Sequence, residues 1–288
     1  DWSSDVCSSD LKISALFPHY FARKDQQITK ILYPRLLQLC ETAQEHNVSL
    51  TIDAEEQDRL HLSMKLIQSL SQEISIKHWQ GLGVAIQAYG KRAQDVITLI
   101  SEIALRREKM HVRLVKGAYW DYEIKQAQVK GYKDFPVFTH KAFTDVNYLR
   151  CAHQLFNSPN LNFYFATHNA HTIASIYHMG RGRQYEFQRL FGMGALLFDQ
   201  AKNYFDKFPA VSIYAPVGKY EDLLPYLVRR LLENGANSSF VNRVMHRELS
   251  PSEVISDPIK KSQKMLNAST EMITKPLNLF TDRKSTRL

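Results

Sequence analysis

The stretch HVRLVKGAYWD, residues 111–121, is a short apolar run that ends in a turn of small residues and continues into a helical pattern. Similar runs begin at residues 11 (LKISAL), 48 (VSLTID), 83 (GVAIQAY), 162 (NFYFAT), 184 (QYEFQRL) and 211 (VSIYAPV). Helical patterns occupy residues 27–46, 55–70, 91–109, 121–156 (a helix pair), 171–179 and 220–233. Because repeated strand–helix units form parallel sheets, we predict an α/β fold, a distorted (β/α)8 barrel lacking its first βα unit. A doubly wound open sheet is the alternative.

Charge and cysteine content narrow the possible function classes. The formal net charge is +8, but +5 of it lies in residues 260–288, so the rest of the chain is nearly balanced. A basic tail on a balanced body gives little support to a nucleic-acid groove, and we expect no nucleic-acid partner for this chain. The three cysteines are widely spaced without a C-x-x-C pair, which favours free thiols in a reducing compartment.

The two ends of the chain differ in composition from the middle. Residues 1–10, DWSSDVCSSD, are rich in Ser and Asp without periodicity, and residues 283–288 are similarly featureless. We expect both segments to be non-native extensions. Residues 11–249 then form the predicted barrel, and residues 250–282 a linker with a helical turn or more.

Polar side chains fall at the ends of the predicted strands, where a barrel places its active site. Asp53, Gln87 and Tyr214 lie at or near the ends of three strands, and Thr167 and His168 end a fourth. Lys12 and Arg113 lie inside apolar strands, where an unpaired charge is costly to bury. Each residue taken singly fits a structural ion pair or a helix cap. All seven together predict an active site at the barrel mouth.

Two motifs add candidate binding groups. In RLVKGAYWD, residues 113–121, Lys116, Gly117 and Ala118 suit a phosphate, and two aromatic residues follow for a ring system; a tight turn with packed aromatics is the alternative. In ATHNAHT, residues 166–172, His168 and His171 could share a metal, although a capping or hydrogen-bonded histidine is more common. A metal- or lysine-dependent barrel lyase or hydrolase using these histidines or Lys12 is therefore an alternative function.

The stretch YLVRRLLENG, residues 226–235, predicts an amphipathic helix with apolar residues on one face. Arg229 and Arg230 lie on the opposite face with Glu233. Alone, this pattern is typical of a solvent-exposed stripe.

Eight motifs in the same order resemble the proline dehydrogenase domain of bifunctional proline utilization A flavoproteins. They are LKISAL, IDAEE, VAIQAY, RLVKGAYWD, FATHNAHT, YEFQRLFGMG, IYAPVG and YLVRRLLENGANSSFVNR, and they cover roughly residues 11–250. The next stretch, ELSPSEVISDPIKK, resembles the linker toward that family's aldehyde dehydrogenase module.

The resemblance implies FAD-dependent oxidation of L-proline to Δ1-pyrroline-5-carboxylate, with electrons passing to a membrane quinone. It implies a cytoplasmic protein, peripheral on the inner face of the bacterial cytoplasmic membrane. Asp53 and Arg113 would be catalytic. The implied substrate contacts are Lys12, Asp53, Leu114, Tyr119, Leu190, Tyr214, Tyr226, Arg229 and Arg230. The implied cofactor contacts are Gln87, Arg113, Val115, Lys116, Gly117, Ala118, Trp120, Thr139, Thr167, His168, Asn169 and Glu233.

Overall fold

The computed structural model describes residues 8–221, 223–224, 226–228, 257–267 and 273–279. Its seven strands form one parallel sheet in the order β1 to β7. They are β1 Ser8–Leu11, β2 Ser49–Ile52, β3 Leu82–Gln87, β4 Met110–Val115, β5 Leu161–Ala166, β6 Glu186–Leu190 and β7 Ala210–Tyr214.

Helices connect the strands along the chain. They are α1 Ile13–Leu16, α2 Asp25–Gln27, α3 Tyr33–Glu45, α4 Leu60–Gln72, α5 Ala93–Ala104, α6 Trp120–Lys130, α7 Lys141–Phe156, α8 Ala170–Met179, α9 Ala195–Tyr204 and α10 Pro258–Asn267. A π-helix covers Ile28–Leu32, and 3-10 turns cover Ala22–Lys24, Ile74–Ile76 and Pro276–Asn278. In the parts of the chain described above, no helix is long and apolar enough to cross a bilayer.

The sequential strand order confirms the predicted barrel-like fold. Crossovers between parallel strands are right-handed, so a sheet whose order never reverses carries its helices on one face. A doubly wound sheet would instead reverse direction at a switch point. Between the described segments of β1 and β7 there is no pairing, so the sheet is a curled half-barrel.

The two faces of the sheet differ in polarity because side chains alternate along a strand. On β5, Phe163 and Phe165 are buried in the main core with the helices, whereas Tyr164 between them is only half-buried. On β4 the same alternation separates the charged Arg113 from Leu114, which is fully buried in that core. The helix-covered face therefore holds the fold together, and the concave face is free to carry polar groups.

The first predicted strand is displaced. LKISAL was expected to be a strand, but β1 ends at Leu11 and α1 starts at Ile13, so Lys12 caps a short helix instead of lying inside a strand. The cause is the pairing of β1 with β2. Leu11 lies opposite Ile52, and the Leu11 carbonyl accepts a hydrogen bond from the Asp53 N–H at 2.8 Å. Ile13, at the start of α1, is fully buried. Three of the β1 residues, 8–10, belong to the segment expected to be an extension.

Helix boundaries differ from the sequence prediction in three places. The helix predicted from residue 27 is a π-helix over Ile28–Leu32 before α3 begins. The helix predicted from residue 55 begins at Leu60, because the Glu55 carboxylate accepts hydrogen bonds from the Ser14 N–H (2.9 Å) and Arg59 (2.6 Å) and holds the preceding loop. The helix predicted over 91–109 covers only Ala93–Ala104.

Within the predicted linker, α10 packs against α7.

Candidate active site

Lys12, Asp53 and Arg113 meet at the C-terminal ends of β1, β2 and β4. Lys12 Nζ lies 2.6 Å from Asp53 Oδ2, and Arg113 Nη2 lies 2.9 Å from Asp53 Oδ1. Lys12 also donates to the Tyr119 hydroxyl at 3.1 Å. One carboxylate thus orients two cations, and for Arg113, which lies inside a strand, such a partner was expected. We call Lys12, Asp53, Arg113 and Asp10 the charged cluster.

Arg113 is the most buried member, with 7% of its side chain exposed. Its Nη1 lies 2.6 Å from Asp10 Oδ2, so the guanidinium bridges two carboxylates. Burial alone would lower the pKa of Arg113, but Asp10 and Asp53 hold it above its usual value. Burial also raises the pKa of Asp10 despite its pairing with Arg113.

Two aromatic residues complete this end of the sheet. The ring of Tyr214, the last residue of β7, lies 5.3 Å from the Arg113 Cζ atom, within the range of a cation–π contact. The Tyr214 and Tyr226 rings are 6.4 Å apart. Burial raises the pKa of Tyr214 to about 12, so its hydroxyl stays protonated at neutral pH.

Lys12 is less enclosed, with 41% of its side chain exposed. Burial lowers its pKa, but Asp53 and Tyr119 raise it further, so the net shift is upward and the ammonium stays charged. Two fixed cations beside aromatic rings at an open strand end suit a small ligand that combines a carboxylate with an apolar body.

Residues 115–120 form the turn between β4 and α6, which we call the 115–120 turn. Gln87 fixes it: its Oε1 accepts from the Ala118 N–H at 3.3 Å, and its Nε2 donates to the Glu55 carbonyl at 2.9 Å. Gly117 has φ +138°, and a Cβ atom there would lie 2.5 Å from Tyr89 Cγ. Trp120 Nε1 donates to the Phe138 carbonyl at 2.8 Å.

Lys116 in this turn has a protein partner. Its ammonium pairs with Asp145 on α7, and Lys141 lies 3.3 Å from the other oxygen of that carboxylate. Burial alone would raise the pKa of Asp145, but the two lysines hold it below its usual value. Thr139, a candidate contact from the same region, is half-buried two residues before α7.

The ATHNAHT motif lies between β5 and α8, as predicted. Asn169 caps α8, with its Oδ1 accepting from the Thr172 N–H at 2.9 Å, and Thr167 Oγ1 accepts from the Asn169 N–H at 3.2 Å. His168 Nε2 accepts from the Leu190 N–H at 3.1 Å, so this nitrogen carries no proton. Over the described ranges, no group of three His, Cys, Asp or Glu side chains is arranged to hold a metal ion.

The structure does not bring every predicted site residue together. Leu114, predicted to contact substrate, points away from Arg113 by strand alternation and is fully buried. Leu190 and Val115 are half-buried at the ends of their strands. Arg229, Arg230 and Glu233 lie outside the described residues, so their predicted roles stay predictions.

Three polar contacts of the site escaped sequence reasoning. Asp10 lies in a segment that the sequence predicts to be a non-native extension, and Glu55 lies at the start of a predicted helix. Asp145 lies six residues after the predicted contact Thr139, and it contacts Lys116, which is 29 residues away. The available signal for Asp145 was its position one helical turn after Lys141, a spacing that favours an ion pair.

A family model described as "Proline dehydrogenase" matches residues 4–243. The bifunctional protein PutA of Salmonella typhimurium is 47% identical over 264 residues, which are 88% of this chain and 20% of that protein. PutA of Rhizobium meliloti is 44% identical over 283 residues, covering 96% of this chain and 23% of the relative. A crystal structure of a Bradyrhizobium japonicum PutA mutant matches with a TM-score of 0.90 and 44% identity, over 95% of this chain and 28% of that one.

This chain therefore spans about a fifth of the length of these two PutA relatives. These similarities agree with the resemblance of the eight motifs. They do not support the alternative of a metal- or lysine-dependent lyase or hydrolase.

Proposed function

Since this chain belongs to the proline dehydrogenase family, we propose that it oxidises L-proline to Δ1-pyrroline-5-carboxylate with FAD as its cofactor. The observation that carries this proposal is the charged cluster, in which Asp53 holds Lys12 and Arg113 at one open strand end. The substrate pairs a carboxylate with a small apolar ring. Fixed cations suit the carboxylate, and the rings of Tyr119 and Tyr214 suit the apolar body.

Arg229 and Arg230 complete the proposed carboxylate site. Adjacent guanidiniums can fork onto one carboxylate, a geometry that a lysine ammonium cannot reproduce. Asp53 has a positioning task as well as a place in the substrate pocket, because it orients both Lys12 and Arg113.

The 115–120 turn and the residues after β5 suit a dinucleotide such as FAD. The turn is partly exposed, and Gly117 lets its backbone pass against the Tyr89 ring where a side chain would collide. Lys116 supplies a cation, Trp120 a flat ring, and Thr167 to Asn169 precede the N-terminus of α8. In the proposed complex, Gln87, residues 115–118, Trp120, Thr139, residues 167–169 and Glu233 hold the cofactor.

The flavin ring of FAD, when bound, supplies the hydride-accepting chemistry that no protein side chain provides. Arg113 contributes a permanent positive charge that favours negative charge at this end of the sheet. The cations fix the proline carboxylate and so hold the ring in one orientation. The aromatic rings exclude water from its apolar side.

The larger assembly is also part of the proposal. We propose that the electrons pass to a membrane quinone and that the protein is cytoplasmic, peripheral on the inner face of the bacterial cytoplasmic membrane. Because this chain spans about a fifth of its PutA relatives, we assign the rest of the full-length protein to further modules, an aldehyde dehydrogenase among them.

Proline titration of the FAD-loaded chain tests the activity. L-proline should bleach the flavin absorbance and yield Δ1-pyrroline-5-carboxylate. Asp53→Asn should slow bleaching at least about 100-fold, because both cations lose their shared anion. Asp58→Asn, which removes an exposed partner of Lys130, is the matched control and should leave the rate unchanged. A folded chain that binds FAD yet shows no proline-dependent bleaching would refute the proposal.

An inhibitor offers a second readout. PutA of Bdellovibrio bacteriovorus has been crystallised after inactivation by N-propargylglycine, and it is 32% identical to this chain. We expect the same compound to inactivate this protein and proline to protect against it. Arg229→Met or Arg230→Met should raise the proline KM strongly while FAD stays bound.

A further inference from the structure

Arg189, near the end of β6, donates hydrogen bonds to two backbone carbonyls of the following turn. Its Nη1 lies 3.4 Å from the Leu190 carbonyl oxygen and 3.2 Å from the Met193 carbonyl oxygen. The Met193 N–H also donates to the Leu190 carbonyl at 3.1 Å, so the guanidinium reinforces a backbone turn over residues 190–193. We call residues 190–194 the β6 turn.

The β6 turn also depends on two glycines in left-handed conformations. Gly192 has φ +75° and Gly194 has φ +68°, a region that favours glycine. Nothing surrounds a Cβ built on Gly192, but one on Gly194 would lie 2.7 Å from His168 Cδ2. The turn thus packs against the histidine that follows β5.

Two hydrogen bonds donated by backbone N–H groups join the β6 turn to its neighbouring strand ends. The Leu190 N–H donates to His168 Nε2 at 3.1 Å, and the Phe191 N–H donates to the Tyr214 carbonyl at 2.8 Å. One turn therefore connects a predicted cofactor contact, His168, with two predicted substrate contacts, Leu190 and Tyr214.

We propose that Arg189 is a positioning residue for proline binding, which rests on the proposed function above. Arg189 reinforces the β6 turn, and the turn fixes Leu190 and the backbone of Tyr214, whose ring lies over Arg113. Its guanidinium acts through carbonyl groups and has no contact with the charged cluster among the interactions described. Removing it loosens the walls of the proline pocket and leaves the 115–120 turn intact.

The test compares proline KM, kcat and FAD affinity in the FAD-loaded chain. Arg189→Met should raise the KM about 5- to 10-fold, with kcat and the FAD Kd changed less than about twofold. Arg189→Lys should recover part of the loss, since an ammonium can still reach one carbonyl. Lys202→Met, on the exposed side of α9, is the charge-matched control and should resemble wild type.

The outcomes separate the two proposals. A wild-type chain that does not oxidise proline refutes the proposed function. If the wild type is active and Arg189→Met has an unchanged KM, only the role of Arg189 is refuted. The same holds if KM rises by the same factor as kcat and FAD affinity fall. If Arg189→Met fails to fold, Arg189→Lys provides the second variant, because its ammonium can keep only one of the two carbonyl contacts; a raised KM with an unchanged FAD Kd supports the proposal and an unchanged KM overturns it.

Discussion

The charged cluster and the 115–120 turn lie at the same end of the sheet but are held by different forces. The charged cluster has side chains from separate strands that contact one another through charge, with Arg113 between Asp10 and Asp53. The 115–120 turn is held mainly by a hydrogen bond from the Ala118 N–H to the Gln87 side chain and by close packing at Gly117, with one ion pair from Lys116 to Asp145. A mutation that changes charge should therefore damage the first region, and one that adds volume should damage the second.

The difference between the charged cluster and the 115–120 turn suits the two ligands that we propose, proline and FAD. A substrate that must bind and leave at each turnover is best held by charges that are already oriented before it arrives. A large cofactor that stays bound can be held along a length of backbone. The chemistry of each ligand thus agrees with the forces that build its side of the site.

Arg113→Met should have the largest effect. It leaves Asp10 and Asp53 close together without the buried cation between them, so the free energy of unfolding should fall by about 4 kcal/mol at neutral pH. Chemical denaturation measures this loss. Lys91→Met, which breaks the exposed pair with Asp134, should cost less than about 1 kcal/mol. Equal losses of unfolding free energy in the two variants would show that the buried ion pairs of the charged cluster stabilise the protein no more than an exposed pair does.

Gly117→Ala comes second, and it adds volume without changing charge. The new Cβ would meet the Tyr89 ring at 2.5 Å with the backbone at φ +138°, so we expect a loss of about 3 kcal/mol and a higher FAD Kd. Gly131→Ala is the matched control, because φ there is +60° but nothing lies within 4 Å of its Cβ. It should cost about 1 kcal/mol and leave FAD binding unchanged. An unchanged FAD Kd in Gly117→Ala would contradict a cofactor role for the turn.

Asp145→Asn should have the smallest effect, and it tests the charged contact that Lys116 makes from the 115–120 turn. The lowered pKa of Asp145 means that its contribution to stability is present above its usual value of 3.8 and is lost as the pH falls through the lowered one. The variant should therefore be about 1 to 2 kcal/mol less stable than wild type at pH 7 and equal to it at the acid end. Asp134→Asn, an exposed carboxylate paired with Lys91, should show a smaller difference. A difference that persists at low pH would mean that Asp145 acts through packing.

Sequence patterns predicted the sheet well because strand periodicity and strand ends are local properties. Asp53, Gln87 and Tyr214 lie at or directly after strand ends, as expected. The hydrogen-bonding and ion-pair partners of these side chains could not be predicted in the same way. Asp53 and Arg113 are 60 residues apart, and only the lateral pairing of strands decides that they meet. The resemblance named candidate side chains, whereas their hydrogen bonds required coordinates.

The wrong expectations share a cause, because tertiary contacts overrode local pattern. LKISAL alternates well enough to be a strand, yet pairing with β2 ends the strand at Leu11 and the chain turns into α1. The helix predicted from Glu55 begins later because that carboxylate serves Ser14 and Arg59. The partner of Lys116 also lay beyond local pattern, because its pairing with Asp145 depends on how α7 lies beside β4; its predicted role as a cofactor contact stays a prediction.

The pairing of β4 with its neighbours has a consequence for folding itself. Arg113 lies opposite Ala85 on one side and Tyr164 on the other. If β4 slipped by one residue, the guanidinium would turn under the helices among phenylalanine rings, and Leu114 would take its place on the concave side. An unpaired charge buried there would cost several kcal/mol, so the slipped pairing is strongly disfavoured. The residue that we assign to catalysis therefore also discriminates against misaligned sheets while the protein folds.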